Sequence, residues 1–266
     1  ARTLSKNGIS YVEAGSIDQP ICDRRGDLIC ADWGYAYLAS TNGSGKSVSL
    51  GDYYGMKESF VKNGTLATTK AKWTTRKEED NPAMAYVHNL GSVSNSGKEG
   101  FMMLGYDDIY SIEYMYEKRM GYWKHDGKVT IFDAFEKLRD NYQAIMERCR
   151  AFDELIYDDA EKAGGKKYAE ICSASYRQVI SAHKLFTDKE GNLLWFSKEN
   201  NSNGCVNTVD LTYPSAPLFL VYNPELQKAM MTSIFEYSAS GRWNKPFPAH
   251  DLGTYPIANG QVYGGD

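Results

Sequence analysis

The sequence predicts an α+β fold in which a strand-rich N-terminal part precedes a helical part. Apolar and aromatic runs of strand length, separated by Gly, Asn, Ser and Asp clusters, occur at 29–38, 83–90 and 101–106. From residue 130 the apolar residues instead recur at steps of four and three, which is typical of an amphipathic helix. We therefore predict three parts: a β-rich domain over 1–110, a linker over 111–129 and a helical-hairpin domain over 130–266.

The helical part begins with a predicted pair of antiparallel helices. Thr130 and Asp133 form a helix-capping pattern, and one apolar stripe then continues to the turn at Gly164 and Gly165. The next helix, over 168–185, has apolar residues around most of its circumference, so we expect it to be buried on several sides. The two helices together predict a helical hairpin.

The same pattern of helix signals then repeats towards the C-terminus. Asn223 and Pro224 are an N-cap and a first-turn proline, and Gly241 ends the helix that they begin. Another helix is predicted near Ile257. These helices make at most two and a half hairpins, which are too few to close a toroid of stacked hairpins. We therefore expect the remaining hairpins to lie beyond residue 266 or on another chain.

Composition and charge restrict the class of ligand. The chain has 266 residues and a net charge of -4, so it offers no general attraction to nucleic acid or anionic lipid. It contains no run of eighteen apolar residues, so we expect no membrane span. Its five cysteines are too scattered for a zinc motif, and we predict neither a metal nor a cofactor. The expected partner is a small polar substrate.

Candidate functional residues are concentrated in two segments between predicted helices, 187–215 and 242–256. Both combine carboxylates, carboxamides, hydroxyls and aromatics with the Gly and Pro of loops. Turn formation alone would explain the Asn, Ser, Thr, Gly and Pro. It does not require Glu199, Asp210 or Asp251, and we therefore predict that the two segments share one pocket.

The first segment supplies two candidate carboxylates. Glu199 follows the strand-like LLWF, where neighbouring aromatics would raise its pKa and suit it to general acid catalysis. Pairing with Lys198 is the alternative, but adjacent residues of an extended segment point to opposite faces. Asp210 alternates with Thr208 and Thr212, so an extended strand would line the pocket with these polar residues. Capping of a helix is the equally weighted alternative for Asp210.

The second segment supplies a histidine beside a carboxylate. His250 and Asp251 lie in PFPAHDLGTYP, where three prolines would hold them rigidly, although a lone histidine is more often structural. Arg177 is polar on an otherwise apolar helix, so we expect it to be buried and to pair with a carboxylate of the protein or of the substrate. Cys205 lacks a neighbouring base, and we interpret it as structural.

Several long motifs resemble those of the secreted glutaminase A family of fungi and gut Bacteroides-type bacteria. They are WGYAYLA, MMLGYDDIYSIEYM, SYRQVISAHKL, FSKENNSNGCVNTVDLTYPSAPLFLVYNPEL and FPAHDLGTYPIANGQVYGG. The resemblance covers the chain from about Trp33. It implies a β-sandwich-like domain followed by part of a six-hairpin (α/α)6 toroid akin to glycosidase folds. The activity that it implies is hydrolysis of L-glutamine to L-glutamate and ammonia, and the implied location is secreted, periplasmic or at the cell surface. The family's toroid continues through several more hairpins, so the resemblance implies further hairpins beyond NGQVYGGD.

An amidohydrolase of this kind, acting without metal or thiol, needs a base for water, an acid for ammonia, a cation for the substrate carboxylate and oxyanion donors. In this hypothesis, Glu199 or Asp210 is the base and Asp251 or His250 is the acid. Arg177 binds the substrate carboxylate. Asn203 or Tyr213 donates a hydrogen bond to the oxyanion. Paired carboxylates flanking an open cleft would instead suit a glycoside hydrolase. A third interpretation is a non-catalytic fragment that binds or acts as a scaffold.

Overall fold

The computed structural model describes residues 1–67, 81–198 and 202–263. The chain divides into two compact units, each made of segments that are discontinuous in sequence. The first unit contains Ala1–Gln19, Asp32–Asp107 and Thr130–Asp140, and the second contains Pro20–Ala31, Asp108–Val129 and Asn141–Asp266. Antiparallel sheets come first and a helical region follows, so the predicted α+β class is confirmed.

The first unit is built from two antiparallel sheets. Its elements are β1 (Arg2–Lys6), β2 (Ile9–Gly15), β3 (Tyr35–Thr41), β4 (Lys46–Asp52), α1 (Tyr53–Asn63), β5 (Pro82–His88), β6 (Met103–Asp107) and α2 (Ile131–Asp140). One sheet has the strand order β1-β2-β3-β6, and the other pairs β4 with β5. Buried Val12 and Leu38 of the first sheet pack against Leu50 of the second. The unit is therefore sandwich-like, as predicted.

Helix α2 packs its aromatic face on the larger sheet of this unit. The ring of Phe135 lies 5.5 Å from that of Tyr11 and 6.2 Å from that of Tyr37. A Cβ atom at Gly105 of β6 would lie 2.6 Å from Cζ of Phe135, so this close approach requires glycine. The predicted capping pattern at its start is confirmed, since Thr130 Oγ1 donates to Asp133 Oδ2 at 2.7 Å and accepts from Asp133 N at 3.3 Å.

The second unit contains helices and short sheets. Its elements are β7 (Ile112–Tyr114), β8 (Glu117–Arg119), a 3₁₀ helix (Tyr122–Lys124), α3 (Tyr142–Gly164), α4 (Lys166–Ser181), β9 (His183–Thr187), β10 (Leu193–Ser197), α5 (Val209–Tyr222), α6 (Pro224–Ala239) and β11 (Ile257–Ala258). Strand β9 pairs with β10, and β7 lies between β8 and β11. Helices α3 and α4 form the predicted hairpin, with Gly165 at a φ of 80° between them. No helix in the described part of the chain is long and apolar enough to cross a membrane.

The domain limits predicted from the sequence stay a prediction, but two features of that prediction differ from the observed elements. The single helix predicted from residue 130 to 164 is interrupted at Asn141 and forms α2 and α3. The apolar residues predicted to form one helix face therefore pack in two separate cores: Phe135 is buried in the first unit and Ile156 in the second. Residues 111–129, predicted as a linker, contain β7, β8 and the 3₁₀ helix.

Three further predictions of local structure were wrong. The segment 208–213 is not an extended strand, because α5 begins at Val209 and continues through Pro214 and Pro217. Its buried Phe219 anchors the helix, so tertiary packing overrides the cost of the prolines. The end of the predicted helix 168–185 is strand β9, and α4 is more exposed than expected. The predicted helix near Ile257 is the short strand β11, which pairs in parallel with β7.

Asn207 joins the segment before α5 to helix α6. It is fully buried, and its Nδ2 donates to the carbonyl of Met230 at 2.8 Å and to Ser233 Oγ at 2.9 Å. Its φ of 52° lies in the left-handed region, which asparagine tolerates better than most residues. The chain therefore enters α5 from a fixed position.

Glu236 of α6 is a half-buried carboxylate in a cavity of about 390 Å³. It accepts a hydrogen bond from Tyr114 Oη. Burial raises the pKa of Glu236 above its ordinary 4.5, the hydrogen bond from Tyr114 opposes this, and the nearby carboxylates of Asp188 and Glu190 raise it further. The folded state therefore holds a proton on Glu236 more tightly than the unfolded state does.

Replacing Glu236 by glutamine should stabilise the protein at neutral pH. A raised carboxyl pKa gives stability that is present below 4.5 and lost as the pH rises through the folded-state value. We expect Glu236→Gln to raise the melting temperature by roughly 2 °C at neutral pH and to leave it unchanged well below 4.5. Glu225→Gln, at an exposed carboxylate of the same helix, is the control. A lower melting temperature for Glu236→Gln at neutral pH would contradict this prediction.

Candidate active site

Two connecting segments of the second unit meet along a short antiparallel ladder. Backbone hydrogen bonds of 2.8 to 3.0 Å join them: Val206 N to Gly253 O, Leu252 N to Val206 O, Tyr255 N to Gly204 O and Val209 N to His250 O. Val206 and Leu252 are also buried in one apolar cluster. The two segments in which the sequence concentrates polar residues are therefore adjacent in the folded chain.

His250 lies between two carboxylates at the end of this ladder. Its Nδ1 is 2.9 Å from Asp251 Oδ2, and its Nε2 is 3.0 Å from Asp210 Oδ2. Thr208 Oγ1 lies 3.3 Å from the same Nε2. The side chain of Asp251 is fully buried, whereas those of His250 and Asp210 are 42% and 67% exposed. The group thus reaches from the protein interior to solvent.

Backbone contacts hold the buried end of this group in place. Gly253 N–H donates to Asp251 Oδ1 at 2.7 Å, which leaves Oδ2 to the imidazole. The main-chain N–H of His250 donates to Gln261 Oε1 at 2.8 Å. The imidazole is consequently fixed both through its own ring and through its backbone.

The two neighbouring carboxylates favour a proton on His250. An ionised carboxylate only accepts hydrogen bonds, so both contacts are satisfied when each ring nitrogen carries an N–H. The hydrogen bond with Asp251 raises the pKa of His250, partial burial opposes this, and the hydrogen bond with Asp210 raises it again. Both carboxylates therefore favour the protonated form of His250, whose Nε2 lies on the side of exposed Asp210.

Asp210 is placed by the start of helix α5. It lies in the first turn, where the helix dipole stabilises a negative charge. Tyr213 follows three residues later on the same exposed face, and its side chain is 84% exposed. Both side chains therefore face solvent, and that of Asp210 contacts His250. This helical geometry replaces the extended arrangement that the sequence predicted for Asp210.

Two other predicted site residues, Arg177 and Asn203, have no observed contact with His250 or its two carboxylates. Arg177 is exposed on α4, contrary to prediction, because the apolar residues around it do not enclose the helix. It lines a cavity between α3 and α4 whose lining includes no residue of 204–209 or 250–255. Asn203 Oδ1 accepts from the backbone N–H of Cys205 at 2.8 Å. Glu199 lies outside the described residues.

Three contributors to the site are missing from the sequence-based assignment of roles. Thr208 and Gln261 contact His250, and the Sγ atom of Cys205 lies within 4.8 Å of ligand atoms of His250 and Asp251. The sequence analysis placed Thr208 only in a polar row lining the pocket, and amide residues such as Gln261 are frequent in loops, so neither was assigned a contact with His250. Only the ladder between the segments brings Cys205 to the histidine.

Fold and site together define an α+β protein with a sandwich-like unit, a helical-hairpin region and a carboxylate–histidine–carboxylate group. Residues 165–266 match the family model of the glutaminase A six helical-hairpin domain, and residues 1–159 match a domain of unknown function, DUF5127. Glutaminase A of Aspergillus oryzae is 33% identical over 242 residues, which are 89% of this chain. A probable glutaminase of Arthroderma benhamiae is 34% identical over 109 residues, which are 41% of this chain.

The chain therefore belongs to the glutaminase A family, as its motifs predicted. It spans 35% of the length of the Aspergillus protein, and its match covers 12% of the Arthroderma protein.

Proposed function

We propose that the protein is a glutaminase-like amidohydrolase that converts L-glutamine to L-glutamate and ammonia. The names of its relatives support this substrate. The observation that carries the proposal is the placement of His250 between buried Asp251 and exposed Asp210. This arrangement contains both an acid and a base at one solvent-accessible position, as amide hydrolysis requires.

In the proposed reaction, Asp210 and His250 handle the two protons of amide hydrolysis. Asp210 accepts a proton from water while the water oxygen bonds to the amide carbon. His250 donates its Nε2 proton to the departing nitrogen as the C–N bond breaks, so the leaving group is neutral ammonia. Asp251 holds the imidazole in position and stabilises its positive charge, since it is buried and bound to Nδ1.

Substrate contacts in this proposal involve residues beside the charged group. Tyr213 is the proposed donor to the developing oxyanion because it shares the exposed face of α5 with Asp210. Arg177 is not assigned to the substrate carboxylate, since it is exposed on α4 and lines a different cavity.

The geometry does not favour the glycoside hydrolase alternative at these residues. A glycosidase holds its substrate bond in the space between two carboxyl groups. Here the imidazole of His250 occupies the space between Asp210 and Asp251, with contacts of 3.0 and 2.9 Å. A sugar ring therefore has no room between these two carboxylates.

Substitution of Asp210 tests the proposal. In the full-length protein we expect Asp210→Asn to lower kcat/KM for glutamine by about 10²- to 10⁴-fold, because the base is lost while the side-chain shape is kept. Ammonia release provides the assay. Glu225→Gln is a matched control, since Glu225 is also an exposed carboxylate in the first turn of a helix. Unchanged kcat/KM in Asp210→Asn would exclude Asp210 as the base.

A further inference from the structure

Cys205, His250 and Asp251 together have the composition of a transition-metal site. One possible ligand atom from each of the three residues lies within 4.8 Å of the other two. Cys205 and Asp251 are 2% and 0% exposed, and the side chain of His250 opens to solvent. Thiolate and imidazole ligands favour zinc over magnesium or calcium, which prefer oxygen ligands. We propose that these three side chains bind Zn²⁺ or a similar thiolate-preferring divalent cation.

Two of the candidate ligand atoms, His250 Nδ1 and Asp251 Oδ2, face each other at 2.9 Å, so a metal would replace the hydrogen bond between them. Gly253 N–H occupies Asp251 Oδ1 and leaves Oδ2 for the metal. Asp210 Oδ2 occupies His250 Nε2 and leaves Nδ1 for the metal. A metal-bound histidine commonly donates its second nitrogen to a carboxylate in this way, which orients the ring and increases its basicity. Asp210 therefore has the position of a supporting carboxylate.

The distances between the three ligand atoms are close to those of tetrahedral zinc coordination, so only small side-chain movements are needed. Zinc bonds of about 2.0 to 2.3 Å place neighbouring ligand atoms about 3.3 to 3.7 Å apart. On metal binding, the distance of 2.9 Å between His250 Nδ1 and Asp251 Oδ2 must widen slightly. The ligand atoms of the three residues lie up to 4.8 Å apart, and this largest distance must shorten by about an ångström. The isolated bridge between Cys205 and Thr254 and the ladder beside it fix the backbones that carry the ligands.

Three protein ligands leave a fourth coordination position for water. The metal would lie between His250 Nδ1 and Asp251 Oδ2 and would separate the imidazole from the carboxylate that holds it in position. This consequence rests on the proposed function, in which His250 is the proton donor. We therefore infer that zinc at this position inhibits the hydrolase reaction and that removing it restores activity.

Cobalt provides a direct measure of the site that does not depend on activity. Full-length protein is freed of metal with a chelator and then dialysed against Zn²⁺ or Co²⁺. We expect about one ion per chain, and for Co²⁺ the charge-transfer absorption of a thiolate ligand and the visible bands of a tetrahedral ion. We expect Cys205→Ser to lose the thiolate band, and Asp210→Asn to weaken binding by about 10-fold.

Matched variants separate ligation from loss of structure. Cys172→Ser removes a half-buried thiol of α4 outside the group and should bind Co²⁺ as the unaltered protein does. His250→Gln keeps Cys205 and should also weaken binding, so the result does not depend on how well Cys205→Ser folds. Absence of bound metal, or the same thiolate band in Cys205→Ser, would overturn the proposed site.

The activity measurements distinguish the failure of this site from that of the proposed function. Hydrolysis in chelator without any metal binding would refute the site and leave the function standing. Metal binding without glutamine hydrolysis in chelator would refute the function and leave the site standing. Activity that requires zinc would support the site and contradict the role of His250 as proton donor.

Discussion

Replacing His250 by glutamine in the full-length protein is expected to lower kcat/KM for glutamine by about 10²- to 10⁴-fold. Glutamine can still form hydrogen bonds, but it cannot deliver a proton to leaving ammonia. His250 contacts both buried Asp251 and exposed Asp210. Its replacement therefore removes the proton donor and the contacts that link it to the two carboxylates. Ammonia release over a range of glutamine concentrations measures the effect on kcat and KM separately.

A double variant makes this test more specific. If His250 and Asp210 act in one reaction step, combining His250→Gln with Asp210→Asn should cost much less than the product of the two single effects. His88→Gln is the control, because His88 lies on β5 in the first unit. Full activity in His250→Gln, or multiplicative losses in the double variant, would contradict a shared catalytic role.

Replacing Phe186 by alanine is expected to destabilise the second unit by about 3 to 5 kcal/mol. Phe186 is fully buried, and its ring packs edge-on against that of Phe196 at 4.6 Å between centroids. Truncation removes the ring and leaves a cavity that this close packing cannot fill. The same cluster contains Val206 and Leu252, which adjoin Cys205 and Asp251 in sequence, so the site should loosen as well.

Denaturant unfolding of the variant measures this loss. Phe235→Ala is the matched control, because Phe235 on α6 is 60% exposed and its truncation should change stability by at most about 0.5 kcal/mol. A loss below about 1 kcal/mol for Phe186→Ala would show that this cluster does not stabilise the ladder.

Local signals predicted much of the helical architecture. The capping pair Thr130 and Asp133, the turn at Gly165 and the Asn223–Pro224 start are all observed, because each acts within about one helical turn. The alternating polar residues before Pro214 led to a wrong prediction. A two-residue period and two prolines both argue against a helix, yet burial of Phe219 stabilises α5.

The candidate site was predicted in part. Residue type and density singled out Asp210, His250 and Asp251, which the structure brings together. Their catalytic roles stay a prediction. Arg177 was expected to be buried because its sequence neighbours are apolar, but burial depends on which helices cover a face, and α4 leaves this face exposed.

The sequence by itself determined that a strand-rich part precedes a helical part, the helix boundaries with strong caps and the relationship to the glutaminase A family. Only the tertiary structure decided that His250 contacts Asp210 across 40 positions and that Cys205 lies beside them. Periodicity and capping act over a few residues. The ladder that joins the two segments forms because Val206 and Leu252 share one buried core, and that long-range packing leaves no periodic pattern in the sequence.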